Sequence, residues 1–323
     1  MPATLLQRNP GVPFDSSWFS DVKINFPSVK TRAETLGKLR SIKKDYQAAW
    51  LLRAVSCLDL TTLAGDDSAS NVRRLCFKSK NPIRYDILDK LGVKDLNITC
   101  GAVCVYPSRV LDAKKALNDA NASDIPIASV ASGFPAGQTP MHIRLLEIKD
   151  AVANGAKEID IVLSRTHVMK GDWLEVYNEV RASRDACGDA HLKTILATGE
   201  CGSLENVYKA SMVSMMAGSD FIKTSTGKEG VNAILPVALV MVRCIREYHE
   251  RTGFKVGFKP AGGIRSAKDA LVWLSLMKEE LGNEWTQPTL FRIGASALLI
   301  DIERQLYHHV YGRYAAGHEF AIS

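Results

Sequence analysis

The sequence predicts an α/β fold, a (β/α)8 TIM barrel preceded by an N-terminal helical extension. The first observation is repetition: from residue 55 onward, short runs rich in Val, Ile and Phe alternate with segments of helical period. The second is length, since 323 residues accommodate one barrel of ~250 residues and an extension. The third is composition: 46% apolar and 24% charged residues exclude a disordered, collagen-like or polytopic membrane protein.

Eight segments are predicted as strands. They are Val55–Leu60, Asn97–Val105, Ile127–Ser132, Glu158–Leu163, Lys193–Ala197, Asp220–Thr224, Lys255–Lys259 and Leu290–Gly294. Strands that alternate with helices pair in parallel through crossover helices. Eight such units favour a closed barrel, and an open doubly wound sheet remains the alternative.

The helices between these strands follow from apolar residues at helical spacing. They are predicted at Thr139–Asn154, Asp172–Cys187, Leu204–Ala217, Val231–Thr252 and Ser266–Leu281. Within Val231–Thr252, for example, Leu235, Leu239 and Val242 lie on one stripe. A further helix near Ile83–Lys94 is predicted as an insertion between the first two strands.

Three parts are predicted along the chain: an extension over residues 1–54, the barrel over 55–310 and a tail over 311–323. Pro10, Pro13 and Pro27 suggest an extended lead. Thr31-Arg-Ala-Glu34 has the form of a capping box. One amphipathic helix is therefore predicted over Thr31–Arg53, with Leu36, Leu39, Ile42 and Tyr46 on its apolar stripe. We expect it to pack as a structural lid on the barrel exterior or across its base, within its own chain or across a dimer.

Charge and cysteine content suggest a cytoplasmic protein. The 41 Lys and Arg residues exceed the 35 Asp and Glu residues by 6, a mild excess that fits an anionic small-molecule substrate but does not require one. No long basic run indicates nucleic acid, and no apolar run reaches the ~20 residues of a membrane span. The seven cysteines lack a C-x-x-C pair, and residues 1–14 lack a secretory signal, so a reducing compartment is expected.

Cofactor motifs are not found, so neither a cofactor nor a metal is expected. None of the seven histidines forms H-E-x-x-H. The segment Ile222–Lys228 ends like a phosphate-binding P-loop but has Ile in place of its first glycine. No G-x-G-x-x-G follows a predicted strand, which disfavours a nicotinamide cofactor.

Charged residues occur inside three predicted strands: Asp160, Lys223 and Lys259. Because side chains alternate along a strand, their apolar neighbours are expected to face the helices and the charged groups the barrel axis. Barrel enzymes place their chemistry at the carboxyl ends of the strands. These residues are therefore candidate catalytic groups, and a structural ion network is the alternative.

Two lysines on adjacent strands can activate one another. Two ammonium groups about 5 Å apart repel by roughly 3 kcal/mol at an effective dielectric near 20. Repulsion and burial both lower the pKa of a lysine, which leaves a neutral amine able to form a Schiff base with a carbonyl. The resulting iminium makes the neighbouring carbon acidic and yields an enamine, which is aldolase chemistry without a metal. Asp160 could relay protons through a water.

Phosphate-binding signals follow the last strands. Pro260-Ala-Gly-Gly-Ile-Arg265 offers a glycine pair and an arginine just before the helix predicted from Ser266. Phe291-Arg-Ile-Gly-Ala-Ser296 offers a glycine and a serine before a last helix, which is also predicted. Loops after strands seven and eight recurrently bind phosphate in these barrels. Gly227 and Lys228 could add to this site, although the glycine pair could also form only a tight turn.

Seven segments resemble the deoxyribose-phosphate aldolase family, in the family's order over about residues 55–300. They are Leu58–Leu63, Val103–Pro107, Glu158–Val162, Lys193–Glu200, Phe221–Lys228, Gly257–Arg265 and Arg292–Ser296. The pair Phe-Ile-Lys-Thr-Ser-Thr-Gly and Gly-Phe-Lys-Pro-Ala-Gly-Gly is highly specific. The resemblance implies a class I, metal-free enzyme that reversibly cleaves 2-deoxy-D-ribose 5-phosphate, a small phosphorylated sugar, to D-glyceraldehyde 3-phosphate and acetaldehyde.

The resemblance also implies residue roles. Lys223 matches the Schiff-base lysine, Lys259 the second lysine and Asp160 the proton-relay carboxylate. Positions that match the substrate pocket are Asp59, Thr61, Cys104, Thr226 and Lys193. Positions that match the phosphate site are Gly227, Lys228, Gly262, Gly263, Arg265, Gly294 and Ser296. The extension and the insertion are similar to the longer eukaryotic type. A homodimer is considered as the assembly of this chain.

The chain departs from the bacterial pattern at its end. Some bacterial members end in a tyrosine that reaches the site, whereas this chain ends Glu319-Phe-Ala-Ile-Ser323. Either Tyr311 or Tyr314 takes that place, or no tail tyrosine is used.

Three other functions remain as alternatives. A related lysine-dependent aldolase would use a ketone donor in place of acetaldehyde. A non-catalytic sugar-phosphate sensor would keep ligand binding when Lys223 is substituted. A nucleic-acid-binding protein would show a steep salt dependence of binding.

Overall fold

Eight parallel strands form the barrel in a computed structural model that describes residues 7–38 and 42–320. They are β1 (Leu58–Thr61), β2 (Ala102–Val105), β3 (Ile127–Val130), β4 (Glu158–Val162), β5 (His191–Ile195), β6 (Phe221–Lys223), β7 (Gly257–Lys259) and β8 (Ile293–Ala295). Neighbouring strands pair in chain order, and β8 pairs with β1. Bridges from Phe258 to Phe291 and from Ala261 to Gly294 close the remaining gap. The predicted barrel is confirmed, and the open sheet is excluded.

Twelve α-helices lie in the described residues. They are α1 (Phe26–Leu36), α2 (Lys44–Ser56), α3 (Ala69–Lys80), α4 (Tyr85–Lys90), α5 (Val110–Asp119), α6 (Met141–Asn154), α7 (Arg165–Lys170), α8 (Trp173–Ala186), α9 (Leu204–Met216), α10 (Leu235–Thr252), α11 (Ala267–Leu281) and α12 (Ala297–Tyr311). The predicted insertion is present as α4, and α3 precedes it. None of the helices described here is long and apolar enough to cross a membrane.

The interior and exterior of the barrel differ as the alternation predicts. Ile159, Ile222 and Phe258 are fully buried in the apolar layer between strands and helices. Burying each such side chain contributes about 1.5–3 kcal/mol. A separate small apolar cluster consists of Ala102, Cys104, Ala128 and Val130, from the neighbouring strands β2 and β3. Charged side chains lie on the inward faces of β1, β4, β5, β6 and β7.

Several element boundaries differ from prediction for local reasons. The first strand begins at Leu58 and not at Val55, because α2 continues through Ser56. The second begins at Ala102, since Asn97 has a left-handed φ of 49° that breaks the extended backbone. Helix α10 begins at Leu235 and not at Val231, and Pro236 lies in its first turn. Proline suits this position because its missing N–H has no helical partner there.

The single helix predicted over Thr31–Arg53 is wrong. Helix α1 ends at Leu36, and Lys43 is extended before α2 begins. The capping box at Thr31 is also wrong, because α1 begins earlier: the Asn25 side chain accepts a hydrogen bond from Ser28 N at 3.0 Å. On the predicted stripe, Tyr46 is 79% exposed, and Leu39 lies outside the described residues.

Both N-terminal helices pack on the outer helical layer of their own chain. Helix α1 contacts α10 and α11, and α2 contacts α11 and α12. Farther back, the buried Asn9 side chain donates to the carbonyls of Met215 and Ser219 at 2.8 and 3.0 Å. The described residues before β1 thus pack on the exterior of the barrel.

Candidate active site

Seven charged side chains fill the barrel interior. Three are carboxylates, Asp59, Glu158 and Asp160, and four are cations, Lys193, Lys223, Lys259 and Arg292; all are buried. They come from β1, β4, β5, β6, β7 and the residue before β8. With every group ionised, the cluster carries one excess positive charge. The positive and negative charges of the cluster are therefore equal in number when one lysine is neutral.

The three predicted catalytic residues meet at one oxygen atom. Lys223 and Lys259 are register partners on β6 and β7. The Nζ atoms of both donate to Oδ2 of Asp160, each at 2.8 Å. The other oxygen, Oδ1, accepts from Lys193 Nζ at 3.1 Å. Asp160 thus connects three lysines.

The lysines differ in the direction in which the barrel shifts their pKa values. Burial is the largest cause that lowers the pKa of Lys223, and the charge of Lys259 lowers it further, against the opposing effect of Asp160. Burial alone would lower the pKa of Lys259, but Asp160 and Asp59 raise it above its ordinary value. The predicted direction for Lys223 is confirmed, with burial rather than like-charge repulsion as the main cause. Lys223 is the lysine most easily neutral.

Asp160 remains ionised. Burial alone would raise its pKa, but Lys193, Lys223 and Lys259 together hold it well below the usual range of a carboxyl group. An ionised Asp160 accepts hydrogen bonds and does not supply a proton of its own in the unliganded protein. Any proton that it relays must first come from a neighbour.

A layer of ion pairs joins these groups to the remaining strands. Arg292 donates to Asp59 Oδ1 and to Glu158 Oε1, at 2.7 Å each. Lys193 donates to Glu158 as well as to Asp160. Asp59 in turn contacts Lys259 Nζ at 2.5 Å. The structural ion network considered from the sequence therefore exists, and the catalytic candidates are part of it.

A cavity of about 380 Å³ opens at the carboxyl ends of the strands. Of the seven charged residues, Lys223 lines it, and its side chain is 4% exposed. Other predicted residues on its wall are Thr61, Thr226, Gly227, Lys228, Gly262, Gly263, Arg265, Gly294 and Ser296. The predicted pocket residues Asp59 and Lys193 do not line the cavity; they belong to the buried ion pairs.

Backbone N–H groups are available at one end of the cavity. Gly262 and Gly263 have φ of 82° and 83°, which glycine adopts readily. Within the described residues, no hydrogen bond occupies the N–H groups of Gly262, Gly263 and Ser296. Arg265, nearby, is exposed. These groups can bind an anion.

The first turn of α11 is not available in the same way. Ser266 N donates to Asp269 at 3.2 Å, and Ala267 N donates to Asp301 at 2.7 Å. Between β7 and α11, the backbone N–H groups that are available to an anion therefore belong to Gly262 and Gly263 in the loop, and not to the first turn of α11.

Glu229 is a site residue that sequence reasoning missed. Its carboxylate accepts hydrogen bonds from Thr226 N at 3.0 Å, Thr226 Oγ1 at 2.7 Å and Gly227 N at 3.2 Å. It thereby occupies one of the donors predicted to bind phosphate. No motif in the sequence signals this contact.

Glu158 and Arg292 were also missed as members of the cluster, although a signal exists. Glu158 precedes Asp160 by two residues on β4, and Arg292 precedes Gly294 by two. Side chains two apart share one face of a strand. The argument that placed Asp160 inside the barrel therefore places Glu158 there too.

Cys104 lies beside the cluster and not on the cavity wall. It pairs in register with Thr61, and burial raises the pKa of its thiol. In the described part of the chain, no group of three or more His, Cys, Asp or Glu side chains is arranged to hold a metal ion.

The two tail tyrosines are held away from the cavity. Tyr311 donates to Asp86 Oδ2 at 2.5 Å, which ties it to α4. The Tyr314 ring stacks on His308 with ring centres 4.4 Å apart. In this arrangement neither takes the place of a tyrosine that reaches the site.

Comparisons with known proteins agree with this geometry. The DeoC/LacD family aldolase profile matches residues 53–299. The chain is 64% identical over 313 residues to a deoxyribose-phosphate aldolase of Bos taurus, covering 97% of this chain and 98% of that one. It is 62% identical over 316 residues to a deoxyribose-phosphate aldolase of Homo sapiens, covering 98% and 99%. A crystal structure from Toxoplasma gondii ME49 superposes with a TM-score of 0.71 at 20% identity, over 83% of this chain and 97% of that one, and shares the fold.

Proposed function

The chain belongs to the DeoC/LacD aldolase family, and from that premise we propose that it reversibly cleaves 2-deoxy-D-ribose 5-phosphate through a Schiff base on Lys223. The products are D-glyceraldehyde 3-phosphate and acetaldehyde. The enzyme is a lyase of deoxyribose catabolism.

One observation carries the assignment of the nucleophile. Lys223 lines the cavity and has a lowered pKa, whereas Lys193 and Lys259 are fully buried and have raised pKa values. For both of the latter, burial opposes protonation but neighbouring carboxylates outweigh it. A nucleophilic amine must be neutral and must reach the substrate. Of these three lysines, Lys223 meets both requirements.

The reaction follows from the amine. Lys223 attacks the aldehyde carbon of the open-chain sugar, and loss of water gives an iminium. The C2–C3 bond then breaks: its electron pair moves toward the iminium to form an enamine, and the C3 hydroxyl loses its proton to become the aldehyde of glyceraldehyde 3-phosphate. Protonation of the enamine carbon and hydrolysis release acetaldehyde and regenerate the amine.

Asp160 and Lys259 are suited to move the protons. Lys259 stays protonated, and its Nζ is hydrogen-bonded to the same Asp160 oxygen as Lys223. A proton can therefore pass from Lys259 through Asp160 toward the reacting amine, directly or by one water. Asp59 supports this arrangement by contacting Lys259.

The far end of the cavity fits the phosphate group. The open N–H groups of Gly262, Gly263 and Ser296 and the cationic side chains of Lys228 and Arg265 border the same space as Lys223. Oriented N–H dipoles with nearby cations bind phosphate in many barrels. The substrate then spans from its aldehyde at Lys223 to its phosphate at these loops.

The expected surroundings are a reducing compartment. All seven cysteines are buried and unpaired, which fits a cytoplasmic enzyme. A homodimer is proposed as its assembly, with no nucleic acid and no membrane among its partners.

Donor choice tests the proposal. The purified chain is incubated with glyceraldehyde 3-phosphate and either acetaldehyde or dihydroxyacetone, and the products are separated. Condensation with acetaldehyde alone, and cleavage of 2-deoxyribose 5-phosphate in the reverse assay, is the expected result. Condensation with the ketone alone would assign the chain to a different aldolase reaction.

A further inference from the structure

A carboxylate already binds the loop after β6, whose residues Thr226 and Gly227 line the cavity. Glu229 accepts hydrogen bonds from both backbone N–H groups of the Thr226–Gly227 segment and from the Thr226 hydroxyl, with donor–acceptor distances of 2.7–3.2 Å. The carboxylate thus takes the position of an anion on this loop. Glu229 is partly exposed, so the group is able to exchange with one from solvent.

The other N–H groups at this end are open. Gly262, Gly263 and Ser296 donate to no acceptor within the residues described, whereas Gly227 donates to Glu229. A backbone N–H has one hydrogen to donate. If Gly227 binds a phosphate oxygen, its bond to Glu229 must therefore break or be shared at reduced strength.

The loop that carries Glu229 packs against the neighbouring loop after β7. Asn232 Nδ2 donates to the Glu229 carbonyl at 2.8 Å. A Cβ at Gly262 would lie 2.7 Å from Asn232 side-chain atoms, so the two loops are in close contact. The Thr226–Asn232 loop is therefore held in place by more than the Glu229 carboxylate, and it can keep its shape when that carboxylate leaves.

We propose that Glu229 is a specificity-determining residue, an internal anion that the phosphate of the substrate displaces from Thr226 and Gly227. This inference rests on the proposed function, because it takes the substrate to be phosphorylated. In the absence of phosphate, Glu229 satisfies the loop and its charge repels weakly bound anions. A phosphate can bind the N–H groups of Thr226 and Gly227 only after the Glu229 carboxylate has left them. Glu229 therefore sets how strongly the enzyme prefers phosphorylated over non-phosphorylated sugars.

The substitution Glu229→Gln separates charge from shape. Glutamine keeps one carbonyl oxygen that can accept from the loop but has no negative charge to compete with an anion. Partly exposed charge interactions are worth up to about 1 kcal/mol, so sulfate should bind up to about fivefold more tightly to the variant. The KM for 2-deoxyribose 5-phosphate should fall similarly.

Sulfate binding by calorimetry on the full chain is the primary test, because sulfate stays dianionic across neutral pH and its binding does not depend on turnover. Glu205→Gln serves as the matched control, since Glu205 accepts a backbone hydrogen bond from Ile24 on the barrel exterior. Tighter sulfate binding in Glu229→Gln but not in the control supports the proposal. Unchanged or weaker binding in both Glu229→Gln and Glu229→Ala overturns it, and so does undetectable sulfate binding in all forms. A wild-type chain that binds sulfate but cleaves no 2-deoxyribose 5-phosphate would instead refute the proposed function.

Discussion

Removing the charge of Lys259 should suppress the reactivity of Lys223. Lys259 is the register partner of Lys223 across β6 and β7, and both donate to Asp160 Oδ2 at 2.8 Å. In Lys259→Met, a like charge disappears and Asp160 is left free to stabilise a protonated Lys223. Both effects raise the pKa of Lys223.

The magnitude follows from the spacing of the strands. Neighbouring strands lie ~4.8 Å apart, and two unit charges at that distance interact by roughly 3 kcal/mol at an effective dielectric near 20. On the acidic side of the pH–rate profile, the neutral fraction of Lys223 should therefore be on the order of a hundredfold smaller in Lys259→Met than in wild type. The charge count agrees: without Lys259, three carboxylates face three cations, and Lys223 must be protonated for balance.

The assay is the pH dependence of kcat/KM for 2-deoxyribose 5-phosphate. We expect the acidic limb of Lys259→Met to move to higher pH and the rate on that limb to fall, in addition to any loss from the missing proton donor. Lys78→Met is the matched control, because Lys78 is a buried lysine paired with Glu303 at 2.8 Å outside the barrel. An acidic limb at the same pH in wild type and Lys259→Met would refute the reasoning.

Two further predictions concern the stability of the ion cluster. Arg292→Met should lower the free energy of unfolding by about 3–5 kcal/mol, because it removes the arginine that donates to two buried carboxylates. Urea unfolding of the variant and of wild type measures this loss, and a loss below about 1 kcal/mol would contradict the prediction. Asp59 and Asp160 have lowered pKa values because nearby cations outweigh the effect of burial, so the stability they contribute is present above their ordinary value near 4 and is lost as pH falls below it. Thermal unfolding between pH 6 and pH 3 should show this loss, with a smaller loss in Asp160→Asn; equal losses in the two proteins would contradict the assignment.

The barrel could be predicted from sequence because the evidence is local and repeated eight times. Alternation along β4, β6 and β7 also placed Asp160, Lys223 and Lys259 in the interior, since register and side-chain direction follow from strand geometry. The downward direction of the Lys223 pKa shift could be predicted from that placement. The main cause of the shift, burial, could not be ranked first from sequence, because it depends on how completely the surrounding side chains exclude water.

The N-terminal helices show where sequence reasoning fails. Thr31 and Glu34 have capping-box spacing, yet Asn25 and Pro27 begin the helix earlier. Of two competing start signals within six residues, the chain uses the earlier one, where the Asn25 side chain caps the helix and Pro27 lies in its first turn. The element boundaries at Val55 and Val231 shifted for similar reasons, a helix that continues and a proline that fixes its first turn.

Glu229 shows a different limit. Its role depends on a side chain that folds back on the N–H groups of residues two and three positions before it, which is a property of loop conformation. Residue type and spacing alone do not distinguish it from an exposed surface glutamate. Sequence thus predicted the strands that carry the buried charged groups better than the conformation of the loops around the cavity.

Trapping the Schiff base tests the central claim most directly. The chain is treated with acetaldehyde and borohydride, and the modified lysine is located by peptide mass spectrometry, with Lys223→Met as the control. A reduced ethyl adduct at Lys223, absent from the control and from Lys193 and Lys259, is the predicted result. Folded protein that carries no adduct at Lys223, or that carries it at Lys259, would contradict the assignment of the nucleophile.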